Sequence, residues 1–259
     1  NRKGNKMNKM VITLITSLLL ISGCSNPTES NEPAIVQEWV FVANEGNFGA
    51  SNGSISMINQ DGIVLEVTEV GDVVQSLEVY ENKLIVVVNN SHMIKVYDIT
   101  EDGLALPGIE VSTDNSSPRE LVVVGDKVYF TNWNTKDVKV LNLFNYNIET
   151  SISVDGLPES IVSDGSYLWV GIMMNEDYSS ASSVVKIDMN TNSVVETYEV
   201  GLGPTSLEVD EDEVYVARTF YDENWTPFYG SSKIKGSDII INNYGAGVAC
   251  GGSVMKYNN

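Results

Sequence analysis

Histidine occurs once in these 259 residues, as His92, and cysteine twice, as Cys24 and Cys250. Zinc, copper and haem sites draw on several such ligands, so the supply for them is missing. A lone His after Asn89-Asn90-Ser91 reads as a turn residue rather than a catalytic base. Basic residues are also scarce: 15 Lys and Arg stand against 35 Asp and Glu, a formal net charge of -20. Nucleic-acid binding needs clustered cations to neutralise phosphate, and docking on anionic headgroups needs them too; both are excluded. No apolar run approaches the roughly 20 residues that span a bilayer. The longest, Met10 to Ile21, is short and is preceded by Arg2, Lys3, Lys6 and Lys9.

That short run has the layout of a secretory signal, a basic start followed by an apolar stretch and small residues. Ile21-Ser22-Gly23-Cys24 at its end resembles a bacterial lipoprotein signal, with cleavage before Cys24 and lipid on that residue. An ordinary signal peptide with a stray cysteine is the other reading. Met7 and Met10 are both candidate starts. Serine after the cysteine favours the outer membrane by the sorting rule of some Gram-negative bacteria. Residues 1–23 are therefore expected to be a signal, and 24–38 a polar tether without periodicity. Loss of 1–23 removes four basic residues and no acid, leaving 11 basic residues against 35 acidic ones. Cys250 then has no partner but Cys24, so packing alone must hold the domain at 39–259.

What is present is a repeat. Gly71-Asp72-Val73-Val74-Gln75-Ser76-Leu77 is echoed by Ser116-Ser117-Pro118-Arg119-Glu120-Leu121, by Gly156-Leu157-Pro158-Glu159-Ser160-Ile161 and by Gly203-Pro204-Thr205-Ser206-Leu207. Leu77, Leu121, Ile161 and Leu207 fall 44, 40 and 46 residues apart. Inside each period lie short β-branched and aromatic runs separated by Gly, Asp and Asn turns, with no helical pattern. Four such runs per period predict an all-β fold, a β-propeller of four-stranded antiparallel blades. Second strands are expected at Trp39–Ala43, Leu84–Val88, Val128–Thr131, Leu168–Val170 and Val214–Ala217. Third strands are expected at Gly53–Ile58, Met93–Asp98, Val138–Asn142, Ser183–Asp188 and Gly252–Tyr257. On this reading the first unit begins at its second strand and the fifth lacks its fourth. About five blades are present, and the chain is expected to be truncated at its C-terminus from a six- to eight-bladed ring. A five-bladed ring with an improvised seam is the alternative.

Asn44-Glu45-Gly46-Asn47-Phe48-Gly49, with Ser54-Ile55-Ser56 and the Gly71–Ser76 step, resembles the opening of Bacteroidetes-type surface lipoproteins. These are YncE-like seven-bladed propellers with a domain of unknown function. Val87-Val88-Asn89-Asn90-Ser91 and Tyr129-Phe130-Thr131-Asn132-Trp133 continue the resemblance, which covers roughly 39–220. The resemblance implies a surface binding lipoprotein. Some members of the group capture corrinoids for an outer-membrane TonB-dependent transporter.

Propeller geometry brings the loop between second and third strands to the same face as the start of the next inner strand. The inner-strand starts supply Gln75, Arg119, Glu159 and Thr205. The other set begins with Asn44, Asn89, Asn90, Asn132, Trp133, Met173 and Arg218, and Phe48 lies in the first such loop. Amides, Arg and aromatics suit a large polar ligand, since amides donate and accept and Arg grips an oxyanion with two parallel bonds. Asn at a strand end also serves as a turn former, and both roles stay open. Between Ala217 and Gly252 about 30 extra residues, with Phe220, Tyr221 and Trp225, read as a loop over that face or as packing against a further blade. Asn175 to Ser182 reads as a smaller solvated insertion. The run Asp210-Glu211-Asp212-Glu213 lacks the spacing of a calcium loop and reads as a charged turn.

The expectation is a lipid-anchored, non-enzymatic protein without cofactor, binding a small molecule that the resemblance suggests is a corrinoid. A surface adhesion scaffold is the alternative. A metal-dependent propeller hydrolase using Glu159, Asn132 and Asn89 is the third reading.

Overall fold

The computed structural model describes residues 38–247 and 253–255. The signal segment and the tether with Cys24 lie outside them, apart from Glu38, as does Cys250. The described chain is all β. Its twenty strands form five antiparallel sheets in sequence order.

The first sheet holds three strands, β1 (Trp39–Asn44), β2 (Gly53–Asn59) and β3 (Val64–Gly71), so it does begin at the second-strand position. The second sheet runs β4 (Val74–Tyr80), β5 (Lys83–Val88) and β6 (Met93–Thr100). Its outer side is completed by a two-residue bridge, β7 (Gly103–Leu104), and by β8 (Ile109–Ser112), both paired to β6. The third sheet is β9 (Pro118–Val124), β10 (Lys127–Asn132), β11 (Asp137–Asn142) and β12 (Ile148–Ser153). The fourth is β13 (Leu157–Ser163), β14 (Tyr167–Met174), β15 (Ser180–Asp188) and β16 (Ser193–Glu199).

The fifth sheet corrects the sequence reading. Its members are β17 (Pro204–Asp210), β18 (Glu213–Tyr221), β19 (Pro227–Lys235) and β20 (Asp238–Ala246). The third strand is Pro227–Lys235 rather than Gly252–Tyr257, and the fourth strand is present. Among the described residues, 218–247 are not a long loop: Phe220 and Tyr221 end a nine-residue strand, Asp222–Thr226 turns into β19, and Gly236–Ser237 turns into β20. Likewise Asn175–Ser179 is a tight turn, with Ser180 already in β15.

The middle strands of the second, third and fourth sheets are buried on both faces because each of these sheets is sandwiched between two neighbours. In β5, Leu84, Val86 and Val88 pack with Ile55, Met57 and Val70 of the first sheet. The alternate residues Ile85 and Val87 pack with Leu121, Val128 and Phe130 of the third. The period-2 alternation of a strand thus serves two cores at once. Tyr129, Val138 and Val140 join Ile161, Leu168 and Val170 between the third and fourth sheets. Trp169, Val184 and Val200 join Leu207, Val214 and Val216 between the fourth and fifth. The inner strands β4, β9, β13 and β17 lie side by side in that order. This is the radial stacking of consecutive propeller blades.

Candidate functional site

The starts of three neighbouring inner strands are joined by one guanidinium. Arg119 donates from Nε and from one terminal nitrogen to the two oxygens of Glu159, at 3.0 and 2.7 Å. Its other terminal nitrogen donates to Gln75 Oε1 at 3.0 Å. The flat face of the same guanidinium lies 4.4 Å from the centroid of the Trp133 ring. Residues 44 and 40 positions away along the chain therefore meet on one side chain because each occupies the same place in its blade.

Beneath this layer the inner strands are stitched directly. Ser76 Oγ donates to the Arg119 carbonyl at 2.9 Å. Thr131 Oγ1 donates to the Glu159 carbonyl at 2.8 Å and accepts from the Glu120 N–H at 3.1 Å. Burial, with the charge of Glu159 behind it, pushes the Glu120 carboxyl up to about 7. Burial also raises Glu78 to about 7, against the pull of the Val123 N–H that it accepts. Two carboxyls in the inner wall thus titrate near neutrality.

A cleft of about 530 Å³ opens beside Arg119 on the same face. Phe48, Asn89, Asn90, His92, Arg119 and Trp133 line it, from three blades. Phe48 is 80% exposed, on a loop tied down by Asp72, whose carboxylate accepts the Gly49 N–H with both oxygens and the Asn90 amide at 2.6 Å. His92 accepts the Ser117 N–H on Nδ1 at 3.1 Å. Trp133 Nε1 is a buried donor with no hydrogen-bond partner in the structure.

The remaining sequence candidates face the fold's own atoms or other blades. Asn44 donates across its hairpin to Ser54 and Ser56. Asn89 touches the cleft but gives its amide to Ser117 Oγ and the Pro118 carbonyl, tying β5 to the next inner strand. Asn132 is fully buried, donates to the Phe130 carbonyl at 3.0 Å and accepts from Ser116 at 2.5 Å. Asn132 Oδ1 and both Glu159 oxygens are already engaged, so the three residues do not present a free metal-ligand set. Among the described residues no group of three or more His, Cys, Asp or Glu is placed to hold a metal ion.

Arg218 is 1% exposed and points between the fourth and fifth blades. It donates to the Asn242 carbonyl at 2.8 Å and Asn243 Oδ1 at 2.7 Å, and none of its hydrogen-bond partners is a carboxylate. Burial lowers its pKa. Gly201 and Gly230 flank the guanidinium so closely that a Cβ on either would lie about 2.5 and 2.4 Å from its nitrogens. Met173 is half-buried on β14. Phe220 stacks on Phe228 at 5.6 Å, and Tyr221 meets Trp225 at 6.1 Å.

Asp72, which anchors the Phe48 loop, and Tyr178, an exposed aromatic, are not singled out by the sequence alone. Asp72 was visible in the recurring Gly-Asp-Val turn. Tyr178 sat in a Ser-rich stretch that masked its likeness to Asp222–Thr226.

No family model and no curated protein matches the chain. Among solved structures, it superposes on Kuenenia stuttgartiensis hydrazine synthase with a TM-score of 0.61 at 17% identity, over 74% of this chain and 60% of that one. A putative 6-phosphogluconolactonase from Bacteroides uniformis gives 0.62 at 10% identity, over 80% and 68%. The WD40 domain of Neurospora crassa Pan2 gives 0.57 at 10%, over 81% and 62%. The chain thus spans about two thirds or less of the length of these structures, and the likeness establishes the fold: this chain is a β-propeller of about five blades.

Proposed function

We propose that this chain is a non-enzymatic binding protein, anchored by lipid at Cys24 on the outer membrane, that captures a polar ligand in the cleft beside Arg119. The observation that carries the reading is the convergence of Phe48, Asn90, His92 and Trp133 from three blades on one open cleft of about 530 Å³. Large binding sites combine apolar faces with a few fixed polar groups, and this lining does so. Asp72 holds the Phe48 loop and Asn90 together, which favours a preformed surface over one ordered by the ligand.

The pairing of Arg119 with Glu159 alters how the site works. The fork that grips an oxyanion is already filled by a carboxylate, so Arg119 acts as a brace under Trp133. Stacking and amide contacts then carry recognition, which suits a flat, amide-rich ligand better than a bare phosphate. The resemblance of the Asn44–Gly49 opening to corrinoid-capturing lipoproteins makes a corrinoid the candidate, with delivery to a TonB-dependent transporter as its destination.

Calorimetry of the soluble chain without 1–23 against cyanocobalamin tests this. Binding with a micromolar or lower Kd is expected, weakened at least tenfold by Trp133→Ala. An absence of heat at those concentrations eliminates the corrinoid, and binding indifferent to Trp133→Ala eliminates the cleft.

A further inference from the structure

The turns between second and third strands are built alike in four consecutive blades. In each, the N–H of the fourth residue bonds to the carbonyl of the first, as His92 to Asn89, Lys136 to Trp133, Tyr178 to Asn175 and Trp225 to Asp222. In each, that fourth residue has positive φ, between 50 and 64°. Glycine or asparagine occupies such a position at least cost, and a bulky residue there gives up on the order of 1 kcal/mol. His92 and Lys136 repay it inside the chain, through the Ser117 N–H and through Glu176 at 2.6 Å. Tyr178 and Trp225 are 65% and 75% exposed, so burial within the described chain does not repay it.

These two rings stand on adjacent blades, in turns of nearly one sequence: Asn175-Glu-Asp-Tyr178-Ser179 and Asp222-Glu-Asn-Trp225-Thr226. A cleft of about 510 Å³ lies between them, lined by both rings with Tyr221, Leu202, Met174 and Glu223 among its walls. Asp177 and Asp222 also line it. Asp177 accepts the Ser179 hydroxyl and N–H and Asp222 the Thr226 and Asn224 N–H groups, which holds both below the ordinary carboxylate range. Among the described residues no Lys or Arg lines the cleft. Its surface therefore offers π faces and oxygen acceptors and no cation.

We propose that the cleft between the Asn175–Ser179 and Asp222–Thr226 turns binds a neutral oligosaccharide, its Tyr178 and Trp225 rings stacking on sugar faces. A pyranose presents C–H groups on its faces and hydroxyl donors at its rim, the complement of this lining. Phosphorylated or acidic ligands meet only carboxylates and are repelled. The β18–β19 hairpin beside the cleft is paired right up to its turn, so it offers no backbone edge there for a peptide strand to join. The site is separate from the cleft beside Arg119, on blades four and five rather than one to three, and does not depend on that reading.

The test is a glycan array of neutral and acidic oligosaccharides probed with the chain lacking 1–23, followed by calorimetry of each hit. Saturable binding of at least one neutral oligosaccharide is expected. Trp225→Ala and Tyr178→Ala should each weaken it at least tenfold, while Trp133→Ala leaves it unchanged. Trp225→Gly separates recognition from folding. It should abolish binding while leaving Tm unchanged or about 1–3 °C higher, because glycine relieves the positive φ. An array empty of neutral hits, a preference for acidic glycans, equal binding of tetramethylammonium, or a Tm drop of several degrees in Trp225→Gly would overturn the proposal.

Discussion

Arg119 illustrates how one residue acquires its role from position rather than from type. Its three hydrogen bonds run to Gln75 and Glu159. The sequence placed all three at inner-strand starts, but it could not place them in contact, because nothing in the spacing tells how far neighbouring blades rotate. The pair is only 20% and 12% exposed at the side chains. Removing one partner strands a largely desolvated charge, so Glu159→Gln should cost about 1–3 kcal/mol in urea unfolding. A double-mutant cycle with Arg119→Met should return a coupling energy of about 1 kcal/mol or more, and additive losses would mean the pair is incidental.

Glu120 and Glu78 make a second residue-scale case with a definite sign. Their carboxyls sit at about 7 in the fold, above the free value of 4.5, so the folded chain holds protons that the unfolded chain releases. That contribution is fully present below about pH 4.5 and is lost as pH rises through 7. Melting temperature should therefore fall between pH 5 and pH 8. Glu120→Gln should flatten the slope and raise stability at pH 8 by roughly 1 kcal/mol. A Tm that climbs over this range in the parent chain would show the two groups to be ionised in the fold.

At the scale of elements, the fifth blade shows where sequence reading gives way. The first four blades announce their turns with Gly or Asx followed by short runs, and their strands were found to within a few residues. The β18–β19 hairpin instead extends to nine residues a side, so that Phe220, Tyr221 and Phe228 lie in paired strands rather than in an insertion. Read from sequence alone, this stretch looks like a loop. Asn242, Asn243 and Tyr244 look like linker composition yet form the outer strand, because Arg218 behind them needs the Asn242 carbonyl and Asn243 amide oxygen. Gly230→Ala places a methyl against the Arg218 guanidinium and about 2.6 Å from the Asn242 carbonyl. A loss of about 2–3 kcal/mol is expected, with amide exchange accelerated first in β19 and β20. Uniform acceleration over all five blades would mean that the fifth has no independent stability.

For the whole molecule, the shared cores decide the behaviour. Phe130 is fully buried between the second and third blades, so Phe130→Ala empties a cavity belonging to both. The cost should be about 3–5 kcal/mol. Because the second, third and fourth sheets each lend residues to two neighbours, the damage should spread as one transition rather than as loss of a single blade. Two resolved transitions in calorimetry would contradict this. The net charge of -20 adds a global repulsion. Raising ionic strength from about 0.01 to 0.5 M should raise Tm, since the Debye length shrinks from about 30 Å to a few ångströms.

The repeated turn, with its fourth residue at positive φ, carries a broader implication. Four copies of one backbone shape present His92, Lys136, Tyr178 and Trp225 in succession around one rim. A change of letter at any of these addresses alters what the rim displays while the hairpin beneath keeps its register. Specificity in such a molecule can drift by single substitutions, each tolerated by the scaffold, so closely related chains sharing this frame need not share a ligand.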